Sequence, residues 1–63
     1  MDYIVDKILG HRKTKKGLKF HVLCEGYSRA HATWEPIDNF MEDGHVANDV
    51  LAQYMYDRDM VIP

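Results

Sequence analysis

A chain of 63 residues has room for one domain, and at that length only about 60% of the unfolded surface is buried on folding. The net charge of −2 lacks the basic footprint of a dedicated nucleic-acid binder. No run approaches the roughly 20 apolar residues that a membrane span needs, so no membrane partner is expected.

Asp2 to Leu9 is rich in β-branched residues and reads as extended chain. Gly10 permits a bend or a bulge. The run His11-Arg12-Lys13-Thr14-Lys15-Lys16 concentrates positive charge, while the C-terminal third is acidic. Lys13 to Gly17 is the expected turn of a first hairpin, with Gly17 free to take a positive φ. Leu18 to Cys24 alternates: Leu18, Phe20, Val22 and Cys24 fall on one face, and Lys19, His21 and Leu23 on the other. Gly26-Tyr27-Ser28 ends this strand. Arg29 to Ala32 then turns the chain into a third strand, Ala32 to Glu35. Trp34 is the only Trp and is expected to be a large part of the core, since one such ring buries roughly 150–250 Å². Pro36 cannot donate to a ladder, so that strand stops there or lies at an edge.

Ile37 to Asp43 reads as a connector with Phe40 anchored in the core. Asp43 is placed to cap a helix running from Val46 to Tyr56. Val46, Ala47, Val50, Leu51, Tyr54 and Met55 recur at the spacing of one helical face. The helix should cover the apolar face of the sheet. The fold class is α+β: a three-stranded antiparallel sheet with a C-terminal helix packed across one end. The domain spans 2–57, and 58–63 is a frayed tail.

Signals for an enzyme are poor. There is no Gly-rich phosphate loop, no His-Glu-X-X-His and no nucleophile elbow. Cys24 is a single cysteine, so no internal disulfide can form; an unpaired thiol fits the cytosol or nucleus. His11, His21, His31 and His45 lack zinc-type spacing with it, and no metal or cofactor is expected. Binding signals are better. Tyr3 and Tyr27 lie at strand ends, where aromatic rings can surround a methylated ammonium. The plainer reading of two such tyrosines is core or rim packing. For Lys13, Lys15 and Lys16 the alternatives are a solvated hairpin and a loop that contacts phosphates.

The residues Tyr3 to Leu9, Phe20 to Leu23, Glu25-Gly26-Tyr27 and Thr33-Trp34-Glu35-Pro36-Ile37-Asp38-Asn39-Phe40 resemble a chromodomain. The resemblance runs from Asp2 to about Tyr56. It implies a curved three-stranded sheet of SH3-like barrel type with a helix across one end, and a nuclear, chromatin-associated module of a larger protein. Familiar members bind methylated lysine on histone tails. Carried onto this chain, the aromatic cage falls on Tyr3, Cys24 and Tyr27, with His31 where a carboxylate often stands. Cys24 replaces the usual Trp, so the cage is incomplete. The tail would be sandwiched between the arm at Ile4 and Val5 and the segment around Asn39 and Met41, with Glu35 retained. The lysine-rich hairpin and the spacer holding His31 resemble chromodomains at the C-terminus of retrotransposon integrases. Two functions compete: a histone-tail reader with a weakened cage, or a chromodomain that has lost methyl-lysine recognition and docks another protein or nucleic acid, for example to steer an integrase. A structural module without a ligand is the third reading.

Overall fold

The fold is taken from a computed structural model that describes residues 4–60. Strands β1 (Val5–Thr14), β2 (Gly17–Cys24) and β3 (Thr33–Pro36) form one antiparallel sheet in the order β1-β2-β3. A two-stranded hairpin, β4 (Met41–Glu42) and β5 (His45–Val46), follows. Helix α1 (Asp49–Asp57) ends the fold. Among the described residues the sheet is open: β1 and β3 are its edges and no barrel closes.

β1 is longer than the sequence predicts. The ladder runs to Thr14, whose hydroxyl donates to the Gly17 carbonyl at 2.8 Å and accepts from the Lys16 amide at 3.2 Å. The turn is therefore only Lys15-Lys16, followed by Gly17 at φ +117°. Register shifts between Val5 and Lys7 and between Ile8 and Gly10 insert extra residues into β1. Such bulges bend a strand and increase its twist, which curves the sheet toward the helix.

The core lies on the face of β2 that carries Phe20 and Val22, as the alternation predicts. Phe20, Val22 and Leu51 are fully buried, and Val5, Ile37, Phe40 and Met55 join them. Leu23 is buried too, but on the opposite face, where it pairs with Lys7. Trp34 overturns its expected place. It pairs with His21, so it projects from the face opposite Phe20, and it is 38% exposed. Glu35, paired with Phe20, takes the inward direction instead. A β-strand alternates strictly, so register decides which side chain turns inward, whatever its size.

The helix begins later than its periodicity predicts. Asp43 is not its cap: Asp43 and Gly44 take φ +50° and +83° and make the two-residue turn between β4 and β5. Successive positive φ values are the mark of a type I′ hairpin, for which Asp-Gly is a favoured pair. Val46 is consequently in β5, and the Ala47 amide is tied to the Phe40 carbonyl at 2.8 Å. The cap is Asn48, whose side-chain oxygen accepts from the Leu51 amide at 3.0 Å. Asn48→Ala should cost about 1 kcal/mol and lower the thermal midpoint by about 4–8 °C, read by circular dichroism. An unchanged midpoint would remove the cap's role.

The sequence places 58–63 in a frayed tail; of these, 58–60 pack against the fold, and 61–63 lie outside the described residues. Asp59 sits in the left-handed region at φ +52°, the Met60 amide bonds the Met55 carbonyl at 2.9 Å, and the Met60 side chain rests on the core. This is a Schellman closure with an apolar residue following it. Tyr54 ties the helix to the sheet. Its ring meets Phe20 edge-on at 6.1 Å, its hydroxyl shares a 2.7 Å hydrogen bond with His11 Nδ1, and the Arg58 guanidinium lies 3.6 Å from its ring centre.

Candidate functional site

Cys24 ends β2 opposite Val5. The chain then turns tightly: Gly26 takes φ +85° and the Tyr27 amide donates to the Cys24 carbonyl at 3.1 Å. Few residues other than glycine accept that backbone. The turn brings Tyr27 back beside the strand end with 60% of its surface exposed. A 3-10 turn, Arg29–His31, then returns His31 to Tyr27, with ring centres 6.2 Å apart and planes tilted by 56°. Ser28 Oγ lies 3.1 Å from His31 Nδ1 and fixes the imidazole. Cys24, Tyr27 and His31 thus gather at one corner of the sheet. Tyr3, the remaining predicted cage residue, lies outside the described residues.

Of the predicted clamp residues, Ile4 and Glu35 connect to this corner, the first by a hydrogen bond to Glu25 and the second by its charge near Cys24. The Ile4 carbonyl accepts from the Glu25 amide at 2.8 Å, so the arm is held against the end of β2. Ile4 itself is exposed, whereas Val5 is buried in the core. Asn39, in the 3-10 turn Ile37–Phe40, donates from Nδ2 to Glu35 Oε1 at 2.9 Å. Met41 begins β4 and rests against the core. Among the described residues, the far edge of β4 pairs with no strand.

Electrostatics links the two groups. Burial pushes the Cys24 thiol above its ordinary value, and the Glu35 carboxylate raises it further. Cys24 is therefore a neutral thiol near neutral pH. It offers neither a π face nor a negative charge. The carboxylate that acts on it is Glu35, held in place by Asn39.

A cleft of 440 Å³ between β1 and α1, walled by Lys7, Ile8, Val50 and Tyr54 among others, contains none of these residues. An extended peptide needs an open strand edge and shallow side-chain pockets instead of a deep cavity.

The lysines of the hairpin do not join the corner. Lys13, Lys15 and Lys16 are exposed at the opposite end of the β1–β2 hairpin. Sequence reasoning missed a second cluster altogether. Arg12, His21 and Trp34 meet on the outer face: His21 stacks on Trp34 at 4.7 Å with 6° between the planes, and Arg12 Cζ lies 4.1 Å from the Trp34 ring centre. The alternation of β2, which turns His21 away from Phe20, was the available signal.

Residues 3–56 match the model of the Chromo (CHRromatin Organisation MOdifier) domain. The chain belongs to the chromodomain family. This chromodomain is 33% identical over 58 residues, or 92% of its length, to the chromatin-associated protein SWI6 of Cryptococcus neoformans. It is 40% identical over 40 residues, or 64% of its length, to the Chromo domain-containing protein cec-1 of Caenorhabditis elegans. It is 42% identical over 45 residues, or 65% of its length, to DNA (cytosine-5)-methyltransferase 3 of Zea mays. The matched segments cover only 24%, 13% and 5% of those relatives, so the chromodomain corresponds to a small part of each.

Proposed function

We propose that this chromodomain is a non-enzymatic, chromatin-binding module in the nucleus that takes an extended histone-tail segment between its N-terminal arm and β4. The observation that carries this reading is the corner built by Cys24, Tyr27 and His31 beside the Ile4–Glu25 pairing. It lies where two open backbone edges can receive an added strand. Family membership and the chromatin-associated relative support the chromatin target. In this mode Tyr3 and Tyr27 form two walls of a methyl-lysine cage, and Glu35 and Asn39 hold the peptide backbone. The third wall is open at Cys24.

Trimethyl-lysine binding by the isolated domain is expected to be weak, with a dissociation constant on the order of 100 µM or above. Titration with trimethylated and unmodified histone-tail peptides measures it. Amide exchange at Ile4 and Val5 should slow when peptide saturates the domain. Unchanged exchange under saturating peptide would sink the sandwich mode.

The open wall also favours a second reading, in which methyl-lysine recognition is lost and the same edges dock another protein, as in an integrase that is steered to chromatin. Equal affinity for trimethylated and unmodified peptides would select it.

A further inference from the structure

The side of α1 away from β1 borders a second hollow, a groove shared with β5 and the closure after the helix. Buried Met55 forms its floor, Val46, Ala52 and Met60 its walls, and Tyr56 its rim. Its volume, 320 Å³, is enough to seat bulky aliphatic side chains. None of its lining residues is charged, and none belongs to the peptide corner. Val46 and Met60 are only partly buried, and Tyr56 is 79% exposed. The Tyr56 ring is thus a large apolar surface that adds little to the core. Interface centres are poor in charge and rich in Tyr and Met, and thioether side chains adapt to different contours.

Charge decides what can occupy the groove. The chain after Pro36 carries Asp38, Glu42, Asp43, Asp49, Asp57 and Asp59 against a single permanent cation, Arg58. That guanidinium is held 3.6 Å from the centre of the Tyr54 ring, and Tyr54 lines the other cleft, beside β1. Asp49 precedes Ala52 by three residues and Tyr56 by seven, so it stands on the same ridge of the helix. Asp59 follows at the closure, next to Met60. A second copy of this chain is disfavoured, because a twofold contact sets the same acidic patch against itself. Nucleic acid and anionic lipid are repelled by the same carboxylates. A cationic amphipathic helix meets both conditions. Its apolar side chains, at helical spacing, enter the groove, and its basic ones reach the carboxylates around it.

We propose that the groove between β5 and α1 docks a cationic amphipathic helix of a partner protein, an apolar side chain entering over Met55 and against the Tyr56 ring. This site is distinct from the peptide corner and does not depend on the methyl-lysine reading.

A peptide of about 15 residues, long enough to be helical, with leucines along one helical face and lysines elsewhere, tests it. The same peptide with glutamate for lysine is the control. In a heteronuclear NMR titration of the full chain at low salt, the lysine peptide should shift the amides of Val46, Ala52, Tyr56 and Met60 and leave those of Tyr27 and His31 in place. The glutamate peptide should shift none of them. By anisotropy of labelled lysine peptide, Tyr56→Ala should weaken binding at least about fivefold. Ala52→Lys, which sets a like charge in the groove wall, should abolish it. Asp49→Asn with Asp59→Asn should weaken binding and reduce its dependence on salt. Tyr27→Ala should bind as the parent does. Circular dichroism establishes that each variant is folded. Equal shifts with both peptides, shifts confined to the peptide corner, or parental affinity in both Tyr56→Ala and Ala52→Lys would overturn the proposal. So would a groove that responds only to protein concentration, which would mark a second copy, or only to removal of residues 61–63, which would mark the chain's own end.

Discussion

Phe20→Ala is expected to remove most of the folded population. Phe20 is fully buried at the centre of β2, and it meets the Tyr54 ring at 6.1 Å and the His11 ring at 6.3 Å. Truncating a buried Phe costs about 3–5 kcal/mol, from lost transfer energy and the cavity left behind. A domain of this length has about 3–9 kcal/mol in total, at the usual stability per residue. The loss spreads to the helix as well. Nine residues are too few for an isolated helix to persist in water, so α1 depends on the face that Phe20 helps to build. Trp34→Ala, by contrast, removes a stacking contact and a cation–π contact at the surface, about 1–2 kcal/mol together. Denaturant melts of the two variants give the ordering. Should Trp34→Ala prove the more damaging, the core assignment would be wrong.

Cys24→Trp should raise affinity for a trimethyl-lysine peptide at least about tenfold. Trp has the best ring face for a cation, worth about 0.5–2 kcal/mol in each contact. It also excludes water from the ammonium, which lowers the local dielectric and strengthens the remaining tyrosine contacts. Together these amount to about 1.4–3 kcal/mol, or ten- to hundredfold. The neutral thiol of Cys24 supplies nothing comparable. His31 stands where a carboxylate would help, and an imidazole brings no negative charge. Cys24 rests partly on the core, so a larger side chain brings some strain; Cys24→Tyr, with a smaller ring, is the companion variant. The gain should vanish when Tyr27→Ala is added. Low-micromolar binding by the parent chain would show that some other group closes the cage.

The three strands of the main sheet, their order and the inner face of β2 were legible in the sequence, because a clean alternation has only one consistent placement against a core; the β4–β5 hairpin and the full length of β1 were not. Trp34 was misplaced for a physical reason. Its size argued for burial, but its register against His21 determines its direction, and register is a property of two strands together. The start of the helix was misplaced because Val46 and Ala47 continue the helical spacing by coincidence. The Asp43-Gly44 pair carried the contrary signal, a hairpin turn, and the local backbone preference prevailed over the periodicity. At the candidate site, the grouping of Cys24, Tyr27 and His31 was implied by the family resemblance; the turn at Gly26 and the 3-10 turn after it are what place Tyr27 beside His31. The electrostatic link between Glu35 and Cys24 could not be read in advance, since it joins ends of different strands.

The β4–β5 hairpin gives the proposed clamp a preformed side. β4 is only two residues long, yet β5 pairs with it on one side and the Phe40–Ala47 bond closes its base. Its backbone is thus extended before any ligand arrives. Fixing a residue's backbone costs about 1–2 kcal/mol of conformational entropy, and on this side little of that loss remains to be incurred at association. The opposing side at Ile4 is likewise tied, through its carbonyl, to the Glu25 amide, so the disorder surrendered on binding falls chiefly on the incoming peptide. Differences in affinity between tail sequences should therefore originate chiefly in how readily each tail takes an extended backbone.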